Sequence, residues 1–120
     1  MEPTELSERM FEFAVRIVSA TNSFPRTVAG RNVGDQLIRS GTSGPANYEE
    51  ACAAQSRADF IHKMQIVLKE LRETRFWLRL AKECGLAPGE LVTPILKESG
   101  ELCNIIGKSV LTAKQRTLST

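Results

Sequence analysis

The stretch from Ser56 to Gly85 limits the fold more than any other. Phe60, Met64, Val67, Leu71, Leu78 and Ala81 follow a heptad-like spacing, with Thr74 or Arg75 filling the gap before Leu78. That period belongs to a helix with one apolar stripe. Strong helix formers occupy the positions between. Ser56 supplies an N-cap oxygen, and Asp59 stands three residues on, close to a capping box. Gly85 is placed to close the segment as a C-cap. A helix over 56–84 is predicted, roughly 29 residues or about 43 Å long.

Two further segments carry the same period. Leu6, Met10, Phe13 and Ile17 are spaced four, three and four, and Phe11, Ala14 and Val18 widen the stripe. A helix over about 4–22 follows. It starts at Pro3 or Thr4 and ends at Thr21-Asn22-Ser23, ahead of Phe24-Pro25. The last helix, about 88–112, begins at Ala87-Pro88 or Thr93-Pro94. It presents Leu91, Ile95, Leu102, Cys103, Ile106 and Val110, and the polar tail from Thr112 is expected to fray. No run of alternating β-branched residues proposes a sheet. The reading is one all-α domain over residues 1–120.

Residues 36–51, "QLIRSGTSGPANYEEA", look at first like a loop. Yet Leu37, Gly41, Gly44, Tyr48 and Ala51 are spaced four, three, four and three, so helical phase runs straight through the glycines. A linker has no reason to keep phase. Residues 27–54, with Val28, Val33, Leu37 and Ile38 in the first half, therefore read as one helix bent at Gly44-Pro45. There Pro45 removes an N–H and crowds the Gly41 carbonyl. Ser40, Thr42 and Ser43 supply hydroxyls for freed backbone groups. Gly41 and Gly44 would let a neighbouring helix come close. "GTSG" is no phosphate loop, since it lacks the Gly-Lys-Ser/Thr ending and no strand precedes it.

Composition removes other classes. The apolar runs fall short of the roughly 20 residues that a membrane span needs. The N-terminus "MEPTELSERMFEF" is acidic and has no signal-peptide pattern. Cys52, Cys84 and Cys103 are widely separated and His62 is the only histidine. That inventory offers no zinc set and no Glu-x-x-His pairs of a di-iron bundle. The thiols read as small core or interface residues in a reducing compartment, the cytoplasm. His62 has no identified partner. No cofactor, metal or enzymatic activity is expected.

"FP" at 24–25, "QLIRSGTSGPANYEEA" at 36–51, "SRADF" at 56–60 and "LKELRETRFWLRLAKECGL" at 68–86 together resemble one family. It is the bacterial four-helix-bundle family first noticed as reading frames in intervening sequences of large ribosomal RNA genes. Its pattern around the bend runs roughly Arg-Ser-x-x-Ser-Ile-Pro-Ala-Asn-Ile-Ala-Glu-Gly. Arg39, Ser40, Ser43, Pro45, Ala46, Asn47 and Glu50 match it, while Gly44 stands for the Ile and Ala51 for the final Gly. "RFWLRL" at 75–80 also resembles the accessory variability proteins of diversity-generating retroelements, which bind a reverse transcriptase and RNA. The resemblance implies an up-down-up-down antiparallel four-helix bundle, a ring-like homopentamer and no enzymatic activity.

Charge then suggests where such a bundle would act. The net charge is only +2, but Lys69, Arg72, Arg75, Arg79 and Lys82 share one helix face. Three readings stay open. The stripe could track the phosphates of RNA or DNA. It could be a solvated face with internal pairs such as Lys69 with Glu73. Or it could meet another subunit, since Glu5, Glu8 and Glu12 line one face of the first helix. Phe76 and Trp77 beside the stripe are assigned to an oligomer interface, with base stacking as the alternative. Asn47 and Glu50, one turn apart, lack a nucleophile or metal partner. They are assigned a structural role with Arg39 and Pro45.

Overall fold

The computed structural model describes residues 1–118. They form four helices and, among the described residues, no strand: α1 (Pro3–Thr21), α2 (Val28–Cys52), α3 (Arg57–Glu83) and α4 (Gly89–Leu118). The connections at 22–27, 53–56 and 84–88 are short, so consecutive helices turn back on one another. α2 packs on α1 and α3, and α4 packs on α3 and α1, while the diagonal pairs do not meet. This is the up-down-up-down bundle, 52 Å long and 22 × 20 Å across.

The core is built from the anticipated rows. α1 contributes Leu6, Met10, Phe13 and Ile17, and α3 contributes Met64, Val67, Leu71, Leu78 and Ala81. Thr74, not Arg75, fills the gap in the α3 row and is fully buried. Its hydroxyl lies 2.8 Å from the Glu70 carbonyl and 3.0 Å from Ser40 Oγ, and Ser40 donates to the Gln36 carbonyl at 2.8 Å. Two small hydroxyls thus bond inside the α2–α3 seam, which satisfies both polar atoms away from water.

The ends follow capping chemistry. The Thr27 and Ser56 side chains accept from the Gly30 and Asp59 amides, each at 3.1 Å. Past α3, Gly85 has φ +65°, with its N–H on the Lys82 carbonyl (3.2 Å) and the Leu86 N–H on the Ala81 carbonyl (2.9 Å). That is a Schellman ending, with Leu86 tucked into the core.

α2 is helical from one side of Pro45 to the other, so the "RSGTSGPANYEEAC" stretch is helix and not loop. A Cβ on Gly41 would lie 2.7 Å from Cγ2 of Ile17 on α1. A Cβ on Gly44 would meet Glu70 and Leu71 of α3 at 3.6 Å. The two glycines therefore face two different helices. Gly30 makes the tightest approach of all, to the Pro25 carbonyl in the α1–α2 turn.

Several expectations are corrected. Phe11 and Val18 do not widen the α1 core stripe; both are exposed, as are Val28 and Ile38 of α2. In α4 Leu91 is exposed and Val92 is buried, because Val92 lies nearer the centre of the face set by Ile95, Ser99, Leu102 and Ile106. Pro94 lies inside this helix and does not begin it. Cys52 and Cys84 are exposed at the ends of α2 and α3 and are not core thiols, whereas Cys103 is half-buried and packs against the core. The tail does not fray at Thr112. α4 continues to Leu118, and its buried Ala113 packs one turn beyond Val110.

Candidate nucleic-acid interface

α3 owes its polarity to the phase of its core row. With Met64, Val67, Leu71, Thr74, Leu78 and Ala81 turned inward, helical geometry sends Lys69, Arg72, Phe76 and Arg79 to the far side. All five cations of the predicted stripe, Lys69, Arg72, Arg75, Arg79 and Lys82, are exposed. Among the described residues none of the five is ion-paired within the chain. The Lys69–Glu73 pair of the solvated-face reading is not formed; Glu73 is bound by Arg39 of α2.

The stripe drifts from the outer ridge of α3 toward α4, and α4 adds cations beyond the five predicted ones. Arg75 and Arg79 share a cleft of about 490 Å³ with Lys97. Lys69 and Arg72 share a second, of about 410 Å³, with Lys114. Glu101 also lines the first cleft, and its carboxylate lies 3.5 Å from Arg9 of α1. Arg75 lies along α4 beside Gly100, where a Cβ would make only ordinary contact with its Nε at 4.0 Å. Lys97 and Lys114 could not be found from α3 alone, because their place beside it depends on how α4 is rotated.

Cys103 lies in the first cleft, half-buried. Burial pushes its thiol above the usual value, and the positive charges of Arg75 and Arg72 oppose that only in part.

The aromatic pair divides. Phe76 is 55% exposed at the middle of the stripe. Trp77 is half-buried against the core, and its indole N–H donates to Glu73 Oε2 at 3.1 Å. The two rings meet edge to face, 5.0 Å apart. Arg39 joins this assembly by pairing with both Glu70 (3.2 Å) and Glu73.

The other residues assigned to the bend do not gather into one site. Pro45 is buried. The Asn47 side-chain amide donates to the Ser43 carbonyl at 2.9 Å and to Ser43 Oγ at 3.2 Å. Glu50 is exposed and far from Arg39, which turns to α3 instead. About three helical turns separate positions 39 and 50, too far for that contact.

Across the bundle, α1 carries the opposite charge. Glu5, Glu8 and Glu12 are exposed, and beside them Phe11 (63%), Val15 and Val18 form an exposed apolar row. α1 and α3 are diagonal, so these faces cannot meet within one chain. The α1–α4 seam is closed instead by Arg9, whose guanidinium donates to both oxygens of Glu98 at 2.7 and 2.6 Å.

Residues 2–108, from the start of α1 into α4, match the family model for the 23S rRNA-intervening sequence protein. The chain belongs to that family. A similar solved structure is a 1.70 Å crystal structure from Bacteroides thetaiotaomicron VPI-5482, described as a protein with unknown function from the S23 ribosomal protein family. It is 36% identical, with a TM-score of 0.81 over 92% of this chain and 98% of that one. No curated protein matches. The matched region includes all of α3. No helix of the described residues is long and apolar enough to cross a membrane.

Proposed function

We propose that this member of the intervening-sequence family is a non-enzymatic, cytoplasmic helical scaffold that binds nucleic acid through the basic face of α3. An enzyme working on nucleic acid, such as a reverse transcriptase, would be recruited to the same face. One observation carries the reading: five exposed cations on one helix have no carboxylate partner among the described residues of their own chain. Surface cations with no carboxylate in ion-pair distance are available to phosphates, and displaced counterions then drive binding. Structured RNA and duplex DNA should bind more weakly at higher salt. Changing Arg72, Arg75 and Arg79 to Glu should abolish binding while helix content stays constant. Wild-type protein that shows no salt-sensitive binding would sink the reading.

The scaffold is proposed to be a homo-oligomer, a pentamer by the resemblance. Exposed Phe11, Val15 and Val18 support assembly, since a contiguous apolar row on a small surface calls for cover. A second reading follows from charge. The acidic, apolar face of α1 fits the basic, Phe76-bearing face of α3 in another copy. Such a contact joins two different faces, so it repeats head to tail, and it gives a ring when the rotation between copies closes. The same triple charge reversal separates the readings. An intact oligomer in sedimentation leaves α3 to nucleic acid, and dissociation assigns it to subunit contact.

A further inference from the structure

We infer that the ligand of the α3 face is a single-stranded stretch of nucleic acid, with Phe76 as the platform on which one base stacks. This rests on the nucleic-acid reading above. Phe76 stands opposite the buried row of α3, and the residue is 55% exposed. Arg72 lies one turn before it and Arg79 one turn after, so cations flank the ring along the helix. The ring is also held in place. Trp77 meets it edge to face at 5.0 Å, and Trp77 is itself anchored by Glu73, which Arg39 binds.

A duplex could use the cations but not the ring. Its bases are stacked on each other and show the protein only their edges and the backbone. A single strand offers both phosphates and free base faces, the two things that this surface answers. The clefts on the α4 side supply a track for the backbone. Each has cations on both walls: Arg75 and Arg79 against Lys97, and Lys69 and Arg72 against Lys114.

Trp77 is the only tryptophan, so its fluorescence reports on Phe76 and its surroundings. The full-length chain should be titrated with a labelled single strand of about 15 nucleotides, on the order of one single-strand site, and with the matching duplex, at several salt concentrations. The single strand should bind more tightly than the duplex at equal salt and should change Trp77 emission. Phe76→Leu, which keeps an apolar side chain at an exposed position, should weaken single-strand binding by about tenfold, within the range for loss of one stacked base. Its salt slope should not change, and Phe76→Tyr should restore the affinity.

If no nucleic acid binds in a salt-sensitive way, the proposed function itself falls. If binding is salt-sensitive but duplex and single strand bind alike and Phe76→Leu has no effect, only the single-strand inference falls. A smaller sedimentation coefficient for Phe76→Leu also overturns it, because the ring would then be covered by a second copy.

Discussion

Gly41 and Gly85 are both required glycines, but for different reasons. At Gly41 the constraint is the Ile17 side chain, 2.7 Å from where a Cβ would sit. Gly41→Ala should cost about 1–3 kcal/mol, as overpacking of a closed core does. Combined with Ile17→Ala, which removes the clashing atoms, it should cost less than the sum of the two single changes in urea unfolding. At Gly85 a Cβ would have nothing within 4 Å, and the constraint is φ +65°. Gly85→Ala should cost about 1–2 kcal/mol, the penalty for a left-handed L-residue, and no neighbouring truncation should rescue it. Tyr48 adds a pH dependence. Burial, then the nearby Cys52 thiol, raises its phenol well above the usual tyrosine value. A raised folded pKa means that the neutral form stabilises the fold and that this stability is lost as pH rises. Above about pH 10 the unfolded chain ionises first, so stability should fall by about 1.4 kcal/mol per pH unit from this group. Urea midpoints of Tyr48→Phe should lack that part of the slope.

At the scale of helices, the α2–α3 seam is the most elaborately fixed. Leu37 and Leu71 supply apolar burial, Ser40 and Thr74 bond inside it, and Arg39 spans to Glu70 and Glu73 at its edge. A shifted register would lose the Ser40–Thr74 bond across the seam, although each hydroxyl would keep its carbonyl partner on its own helix. Arg39→Met keeps the aliphatic stem but leaves Glu70, with its side chain only 12% exposed, without its cation. The loss should be about 1–2 kcal/mol, between an exposed pair and a buried one. Trp77 emission should also shift, since Arg39 holds the Glu73 that accepts its N–H. A stability loss with unchanged Trp77 emission would break that coupling.

For the whole molecule, the informative feature is polarity across the bundle. An acidic, apolar α1 face and a basic α3 face lie at opposite corners. Up-down-up-down topology puts the first and third helices on a diagonal, so their charges cannot neutralise each other internally. Both charged faces are therefore left open to partners outside the chain; in the function proposed above, the α1 face serves assembly and the α3 face an anionic partner. Changing Phe11 and Val15 together to Glu should leave helix content unchanged, because both are exposed already. It should shift sedimentation to a smaller species. An unchanged coefficient would remove α1 from the assembly surface.

The heptad row of α3, the unbroken phase through Gly41 and Gly44 and the caps at Ser56 and Gly85 were all legible in one dimension. Each depends on neighbours within a few residues, and helical geometry alone converts spacing into a face. The four helices and the basic stripe follow from the same local rule. What one dimension could not determine is rotation and partnership. Phe11 and Val18 look like core by composition, yet α1 has only one side turned inward. Glu73 has a lysine one turn away, yet Arg39 of another helix takes it. Lys97 and Lys114 join the stripe only because α4 lies against α3. Spacing along the chain sets which residues share a helix face. Which of those faces is covered depends on packing, because burial and ion pairing involve side chains that are distant in the chain.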